Sequence, residues 1–289
     1  METEKKEYPV WKLILQIILA LMLAFGLFLG VPLLVAMLWA ANLDAKHEQM
    51  KPQVQELATA YIAEQYPGND FEITALYHVF KDNSFEVKVR SRSSADTHFI
   101  VKFNDTTLEV DWDSYEDAVT NRGNTAKRIK ADYEDRVKGV LKVLTGVQSV
   151  YTDYVICSGT PGYSLYDSPE GLDNRTLELD REYDTAAMGW DYGYLEVEFL
   201  ESPEDLSIQR ILERLWELDE AMTTAGVGYQ VVKITLVSDP DWRVAEKFYI
   251  FDIRREDLYS EDPMAALQEL WEEQEANRQA RKEKWEKSE

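Results

Sequence analysis

The chain has 289 residues, 45% apolar and 12% aromatic, enough to bury a core and too rich in aromatics for wholesale disorder. Its formal net charge is −23. A surface that acidic is repelled by nucleic acid and by anionic lipid headgroups, so nucleic acid is excluded as a partner class, and the charge serves solubility or a cationic partner. The single cysteine, Cys157, excludes an intrachain disulfide, so stability rests on packing. Val155 and Ile156 precede it, which predicts a buried thiol and not a reactive one.

The first element is an anchor. Leu13 to Leu43 is a run of 31 residues without a charge. As a straight helix it would be about 46 Å long, against a hydrocarbon core of about 30 Å. This predicts one tilted span over 13–43 and rules out two. A cleavable signal peptide has an apolar core of about 7–15 residues and an A-x-A-like site. The present run is longer, ends in Leu38-Trp39-Ala40-Ala41, and has no nearby cysteine for lipoprotein processing. Tyr8, Trp11 and Trp39 resemble interfacial belts. Lys5, Lys6 and Lys12 precede the span, and Lys46 and Lys51 follow it. The bias, with the large domain that follows, predicts a cytoplasmic tail over 1–12 and the bulk outside the cytoplasm. Gly26-x-x-x-Gly30 matches a helix-pairing face, which a span rich in Gly, Ala and Leu produces by chance, and Pro32 predicts a kink.

Residues 48–148 read as a first α+β domain. Val54, Leu57, Ala58, Tyr61 and Ile62 are spaced as one face of a helix over 47–66, which Pro67-Gly68-Asn69-Asp70 ends. Four alternating segments follow, through 71–77, 85–90, 99–103 and 108–112, and predict an antiparallel meander whose packed face the helix covers. A trailing helix runs through Ala126, Ile129, Tyr133, Val137, Val140, Leu141 and Leu144, with Gly123 weakening its start and Gly146 suiting its end.

Residues 149–258 read as a second α+β domain, ordered strand–helix–strand–strand. It opens with a strand near Tyr154–Cys157 and a loop-rich stretch to Gly193. Leu195, Val197 and Phe199 then alternate as a strand. Ser202-Pro203-Glu204-Asp205 reads as an N-cap, a first-turn proline and first-turn acids. The helix that follows carries the stripe Ile208, Ile211, Leu212, Leu215, Leu218 and Met222 and stops at Gly226. Val232, Ile234 and Leu236 form the next strand, and Lys247 to Ile253 the last. A C-terminal helix over 263–289 puts Leu267, Leu270 and Trp271 on one side and is nearly all charge beyond Ala276, as a solvated, fraying helix would be.

Three segments carry a resemblance: FEITALYHVFKDNSFEVKVRSRSSADTHFIVKF, LELDREYD and IQRILERLWELDEAMTTAGVGYQVVKITLV. With the anchor before them, they resemble the YfjL-like family of membrane-attached proteins of Gram-positive bacteria, over most of 10–255 and by pattern and segment order. The resemblance implies an N-terminal transmembrane helix and two extracytoplasmic α+β domains. It brings no activity and no catalytic residues. The first domain also resembles a cystatin-like or PepSY-like helix-on-sheet unit.

No constellation predicts catalysis, a cofactor or a metal. His47, His78 and His98 show no ligand spacing, although His78 and His98 could meet across the meander. Asp111, Asp113, Glu116 and Asp117 lack the glycine and spacing of a calcium loop and read as a solvated turn. Ser94-Ala95-Asp96-Thr97-His98 has nucleophile-triad residue types without triad geometry and reads as a hairpin turn. Tyr151, Tyr154, Tyr163, Tyr166, Trp190, Tyr192 and Tyr194 suit packing, or the lining of a peptide or glycan groove. The sequence therefore predicts a membrane-anchored extracytoplasmic binding or interaction module with a protein or cell-wall partner. Its rivals are an envelope hydrolase and an accessory subunit of a membrane complex. Oligomeric state is not specified.

Overall fold

The computed structural model describes residues 33, 34, 37, 45–157, 167–168, 171–241 and 245–286. The predicted tail and, apart from Leu33, Leu34 and Met37, the predicted span lie outside the described residues, as do Tyr163, Tyr166 and the side chain of Cys157. Among the described residues no helix is long and apolar enough to cross a membrane. The architecture is mixed α+β, with a four-stranded antiparallel sheet and a second four-stranded sheet. The chain divides into two compact units: 1–69 with 73–88 and 101–112, and 70–72 with 89–100 and 113–289.

Helix α1 (45–65) opens the described part of the first unit. Val54, Ala58 and Ile62 recur every four residues and are buried, because that spacing returns each side chain to one face. The helix closes where Tyr66 N–H donates to Ile62 O (3.0 Å) and Gly68 takes φ +79°. Strands β1 (Phe71–Val79), β2 (Ser84–Ser91), β3 (His98–Asn104) and β4 (Val110–Asp113) pair in chain order. Phe85, Val87 and Val89 of β2 are buried and alternate with half-buried Glu86 and exposed Lys88 and Arg90, as period-two geometry dictates when one face is dry. In the β3–β4 turn, Asn104 Oδ1 accepts from the N–H groups of Thr106 (2.9 Å) and Thr107 (3.0 Å), an Asx turn.

In the second unit, a π-helical turn (Glu116–Thr120) leads to α2 (Gly123–Leu141). Arg122 before it is left-handed (φ 62°), and a Cβ at Gly123 would lie 2.6 Å from Asp117 O, so this glycine starts the helix where only a glycine fits. Then come β5 (Val147–Tyr154), the two-residue strands β6 (Ile156–Cys157) and β7 (Asp167–Ser168), α3 (Thr185–Tyr192), β8 (Gly193–Leu200), α4 (Ile208–Thr224), β9 (Val231–Val237), β10 (Lys247–Arg254), α5 (Arg255–Leu258) and α6 (Pro263–Glu286). The large sheet is ordered β10-β9-β8-β5. β8 and β9 are parallel, in register at Val197↔Ile234, and α4 is the crossover that parallel pairing requires. β5 joins β8, and β10 joins β9, antiparallel.

Helices α2 and α4 pack on this sheet. Ile129, Tyr133, Val137 and Leu141 of α2, with Ile211, Leu215, Leu218 and Met222 of α4, meet Leu195, Val197 and Phe199 of β8 and Val232, Ile234 and Leu236 of β9. Each of these is at most 1% exposed, and each large apolar side chain so buried contributes roughly 1.5–3 kcal/mol before the entropy of ordering it.

Several elements differ from expectation. The trailing helix of the first domain, α2, lies in the second compact unit, because its stripe packs on β5. The opening strand begins earlier than expected, at Val147, and the expected 154–157 segment takes in its last residue and the short β6; Thr152 faces the core at 1% exposure while Tyr151 is 37% exposed, inverting the usual polarity. Ser202 does not cap α4. It begins a separate 3-10 turn (Pro203–Asp205), and the cap is Ser207, whose Oγ accepts Arg210 N–H (3.2 Å). Helix α3 falls inside the stretch expected to be loop-rich; Asp184 caps it by accepting Ala187 N–H. Helix α6 docks through Trp271, which stacks on Phe248 (5.9 Å); beyond Ala276 its residues are exposed, apart from half-buried Arg278, which lies 4.8 Å from the Tyr249 ring.

Candidate binding face and ionisable clusters

Alternation along the large sheet sends its second set of side chains away from α2 and α4. Tyr194, Glu196 and Glu198 of β8, Lys233 and Thr235 of β9, and Lys247, Tyr249 and Phe251 of β10 line a groove of about 520 Å³ on that face. Its charges are matched across strands. Lys233 Nζ is 3.0 Å from Glu196 Oε2, Lys247 Nζ is 3.9 Å from Glu198 Oε2, and Tyr194 donates to Glu196 Oε1 (2.9 Å). Burial pushes the Tyr194 phenol up, which keeps it a donor. At the groove's outer edge, Gln274 of α6 donates to Phe251 O (2.7 Å) and accepts from Phe251 N–H (3.3 Å). A side-chain amide thus pairs one residue's backbone on β10, where another strand would otherwise add.

Three buried carboxylates elsewhere in this unit are tied to arginines. Asp96 takes both Arg128 nitrogens (2.8 and 2.9 Å), the Thr125 hydroxyl (2.9 Å) and Asp180 N–H (2.9 Å). The Arg128 bond, with Asp180 and Thr125 and against burial, holds its carboxyl down at about 2. Glu201 accepts from Arg214 (2.5 Å), and Asp219 from Arg255 (2.7 Å), Tyr229 (2.9 Å) and Tyr259 (2.5 Å). Such pairs satisfy buried charge and lock elements together; they are not poised to trade protons. Asp252 is the exception. It sits left-handed (φ 60°) at the β10 bulge, its Oδ1 has no hydrogen-bond partner among the described residues, and burial raises its pKa.

In the first unit, His47 of α1 stacks on His78 of β1 with ring centroids 3.6 Å apart and planes within 12°. His78 Nε2 lies 3.0 Å and His47 Nε2 3.8 Å from the same oxygen, Asp105 Oδ2, in the β3–β4 turn. Phe85 and Phe80 meet the His78 ring edge-on at 5.1 and 4.7 Å. Burial would raise the Asp105 pKa, but hydrogen bonds from His78 and Thr106 outweigh it and hold the carboxyl below its usual range. Among the described residues this is the one group of three His, Cys, Asp or Glu side chains whose ligand atoms all lie within 4.8 Å. The sequence shows no ligand spacing among the histidines and lets His78 meet His98 across the meander, and here the structure differs. It pairs His78 with His47 and leaves His98 exposed. No short-range signal marks the group, since its members come from three separate elements.

The remaining candidates resolve into structure. Ser94 donates to Thr97 (2.7 Å) and Asp96 binds Arg128, so the Ser-Asp-His segment is a hairpin turn without a triad. Asp113 accepts Tyr115 N–H (3.0 Å), and Glu116 and Asp117 are exposed in the first turn of the π-helical segment. Among the expected groove aromatics, Tyr154 is core, stacked on Tyr133 at 4.8 Å, and Trp190 faces the Arg255 guanidinium at 4.7 Å. Among the described ones Tyr194 alone lines the groove, with Tyr249 and Phe251, which the sequence does not single out.

No protein-family model matches the chain, and no curated protein matches it. A solved structure of a DUF5037 family protein from Ruminococcus gnavus is similar over 72% of this chain and 94% of its own, at 11% identity and a TM-score of 0.23.

Proposed function

We propose that the chain is a non-catalytic module, tethered by the 13–43 segment at the outer face of the membrane, that binds an uncharged, hydroxyl-rich cell-wall glycan in the groove of the second sheet. The observation that carries this reading is the charge pairing of the groove around its aromatic rings: Glu196 with Lys233, Glu198 with Lys247, beside Tyr249 and Phe251. Ring faces pack on the apolar faces of sugars, and ion-paired side chains supply donors and acceptors without a net field. A protein partner is disfavoured because interface cores are depleted in Lys and Glu, which make up half of this lining. An anionic polymer is disfavoured by the net charge of −23. Hydrolysis is disfavoured because a glycosidase needs one carboxyl kept protonated, whereas both groove carboxylates face lysines.

The test is co-sedimentation of the purified full-length protein with insoluble wall glycan stripped of anionic polymer. Tyr249→Ala and Phe251→Ala should each weaken binding about five- to tenfold, on the scale of a lost stacking contact of about 1–1.5 kcal/mol. Trp112→Ala, at an exposed aromatic in the first unit, should change nothing. Equal binding by wild type and Tyr249→Ala would sink the reading, and release of reducing ends would replace it with the hydrolase.

A further inference from the structure

We propose that His47, His78 and Asp105 form a binding site for one divalent transition-metal ion of the zinc class. Two imidazoles and a carboxylate are a donor set that such ions take, with a fourth position left for water. The carboxylate is preset. Asp105 N–H donates to Asn83 O (3.1 Å) and its Oδ1 accepts from the Thr106 hydroxyl (3.1 Å), while Oδ2 faces both Nε2 atoms. Ligand atoms on a tetrahedral ion at 2.0–2.2 Å stand about 3.3–3.6 Å apart, and the two nitrogen–oxygen separations, 3.0 and 3.8 Å, bracket that span.

Without a cation the arrangement is poorly matched. Aromatic rings avoid direct face-to-face stacking, yet these lie at 3.6 Å and 12°. One carboxylate oxygen serves two imidazoles, and the buried Nδ1 of His78 has no hydrogen-bond partner among the described residues. A shared ion removes the first conflict at a definite geometric cost. Ring centres about 3 Å from the metal must stand about 5 Å apart, so the stack has to splay by about 1.5 Å. The surroundings allow it: Phe85, which meets the His78 ring edge-on, is fully buried, whereas Phe80, which meets the same ring, is 55% exposed and has room to move. The ion would join α1, β1 and the β3–β4 turn.

The experiment is titration of the metal-stripped, full-length protein with Co²⁺, read by its visible ligand-field absorption, followed by displacement with Zn²⁺ and by melting with and without Zn²⁺. The expected result is one equivalent of Co²⁺ bound, with intensity typical of four- or five-coordination. Zn²⁺ should also raise the melting midpoint by several degrees. His78→Gln and Asp105→Asn should each weaken Co²⁺ binding at least about tenfold, the scale on which lost ligands and their supports act. His98→Gln should leave it unchanged. Circular dichroism and melting in chelator separate a lost ligand from a lost fold, and the wild-type titration stands regardless of the variants. Absence of saturable wild-type binding overturns the proposal, as does unchanged affinity in a His47→Gln/His78→Gln variant. A melting midpoint that rises on acidification but not with Zn²⁺ assigns a proton to the pair and also overturns it.

Discussion

Replacing Asp96 by asparagine perturbs a carboxylate that is 2% exposed and takes four hydrogen bonds, from both Arg128 nitrogens, Thr125 and Asp180 N–H. It ties the β2–β3 hairpin turn to α2 and to the 180–181 segment, where Arg128 also donates to Arg181 O (2.9 Å). Its folded pKa is depressed from 3.8 to about 2. A depressed carboxylate stabilises above its unfolded pKa and loses that contribution as pH falls through the folded one. The displacement corresponds to about 2 kcal/mol at neutral pH, about 1 at pH 3 and well under 1 at pH 2. Asparagine carries no charge at any of these pH values. The stability difference between wild type and Asp96→Asn should therefore be about 2–3 kcal/mol near neutrality and shrink by about 2 kcal/mol between pH 5 and pH 2. Urea unfolding of both proteins across that range measures it, and taking the difference cancels the other carboxylates they share. A difference that stays constant down to pH 2 would refute the ionic account and leave shape alone as the role of this side chain.

Gln274→Ala should cost about 1–3 kcal/mol and promote association, because the Phe251 N–H and C=O lose their partner at the sheet edge; urea unfolding and light scattering report the two effects. Gly189→Ala should cost more than about 3 kcal/mol or prevent accumulation, since its Cβ would stand 2.1 Å from Gly228 O and 2.9 Å from Tyr133 Cε2, between backbones that cannot part; the melting temperature or soluble yield decides. Asp252→Asn should stabilise by about 1 kcal/mol at pH 7, because burial there penalises the charged form and the left-handed backbone suits asparagine. That gain should fade under acid as wild-type Asp252 becomes neutral, and a gain that persists unchanged would place its origin in the backbone.

The elements legible in the sequence are those whose pattern is local and whose one face is dry. β2 alternates apolar and charged residues one by one, and the α4 stripe recurs at helical spacing over four turns, so each announces its type and buried face without reference to anything distant. β5 does not, because a bulge between Val147 and Ser149 breaks its register and its core-facing positions include a threonine. α3 is eight residues long, and its Gly189 makes sense only against Gly228, 39 positions on. The choice between Ser202 and Ser207 as cap is likewise invisible locally, since both are followed by acceptable first turns.

By itself the sequence determined the strands of the meander, the main helices, the acidic balance and the uncharged 13–43 run, since composition and periodicity depend only on neighbours along the chain. Tertiary structure alone decided that α2 belongs with the second sheet, that Gln274 covers part of an edge, that Glu196 and Glu198 face lysines, and that His47 meets His78 and Asp105. Those pairings are set by where whole elements come to rest, and a side chain carries no local mark of a partner dozens of residues away.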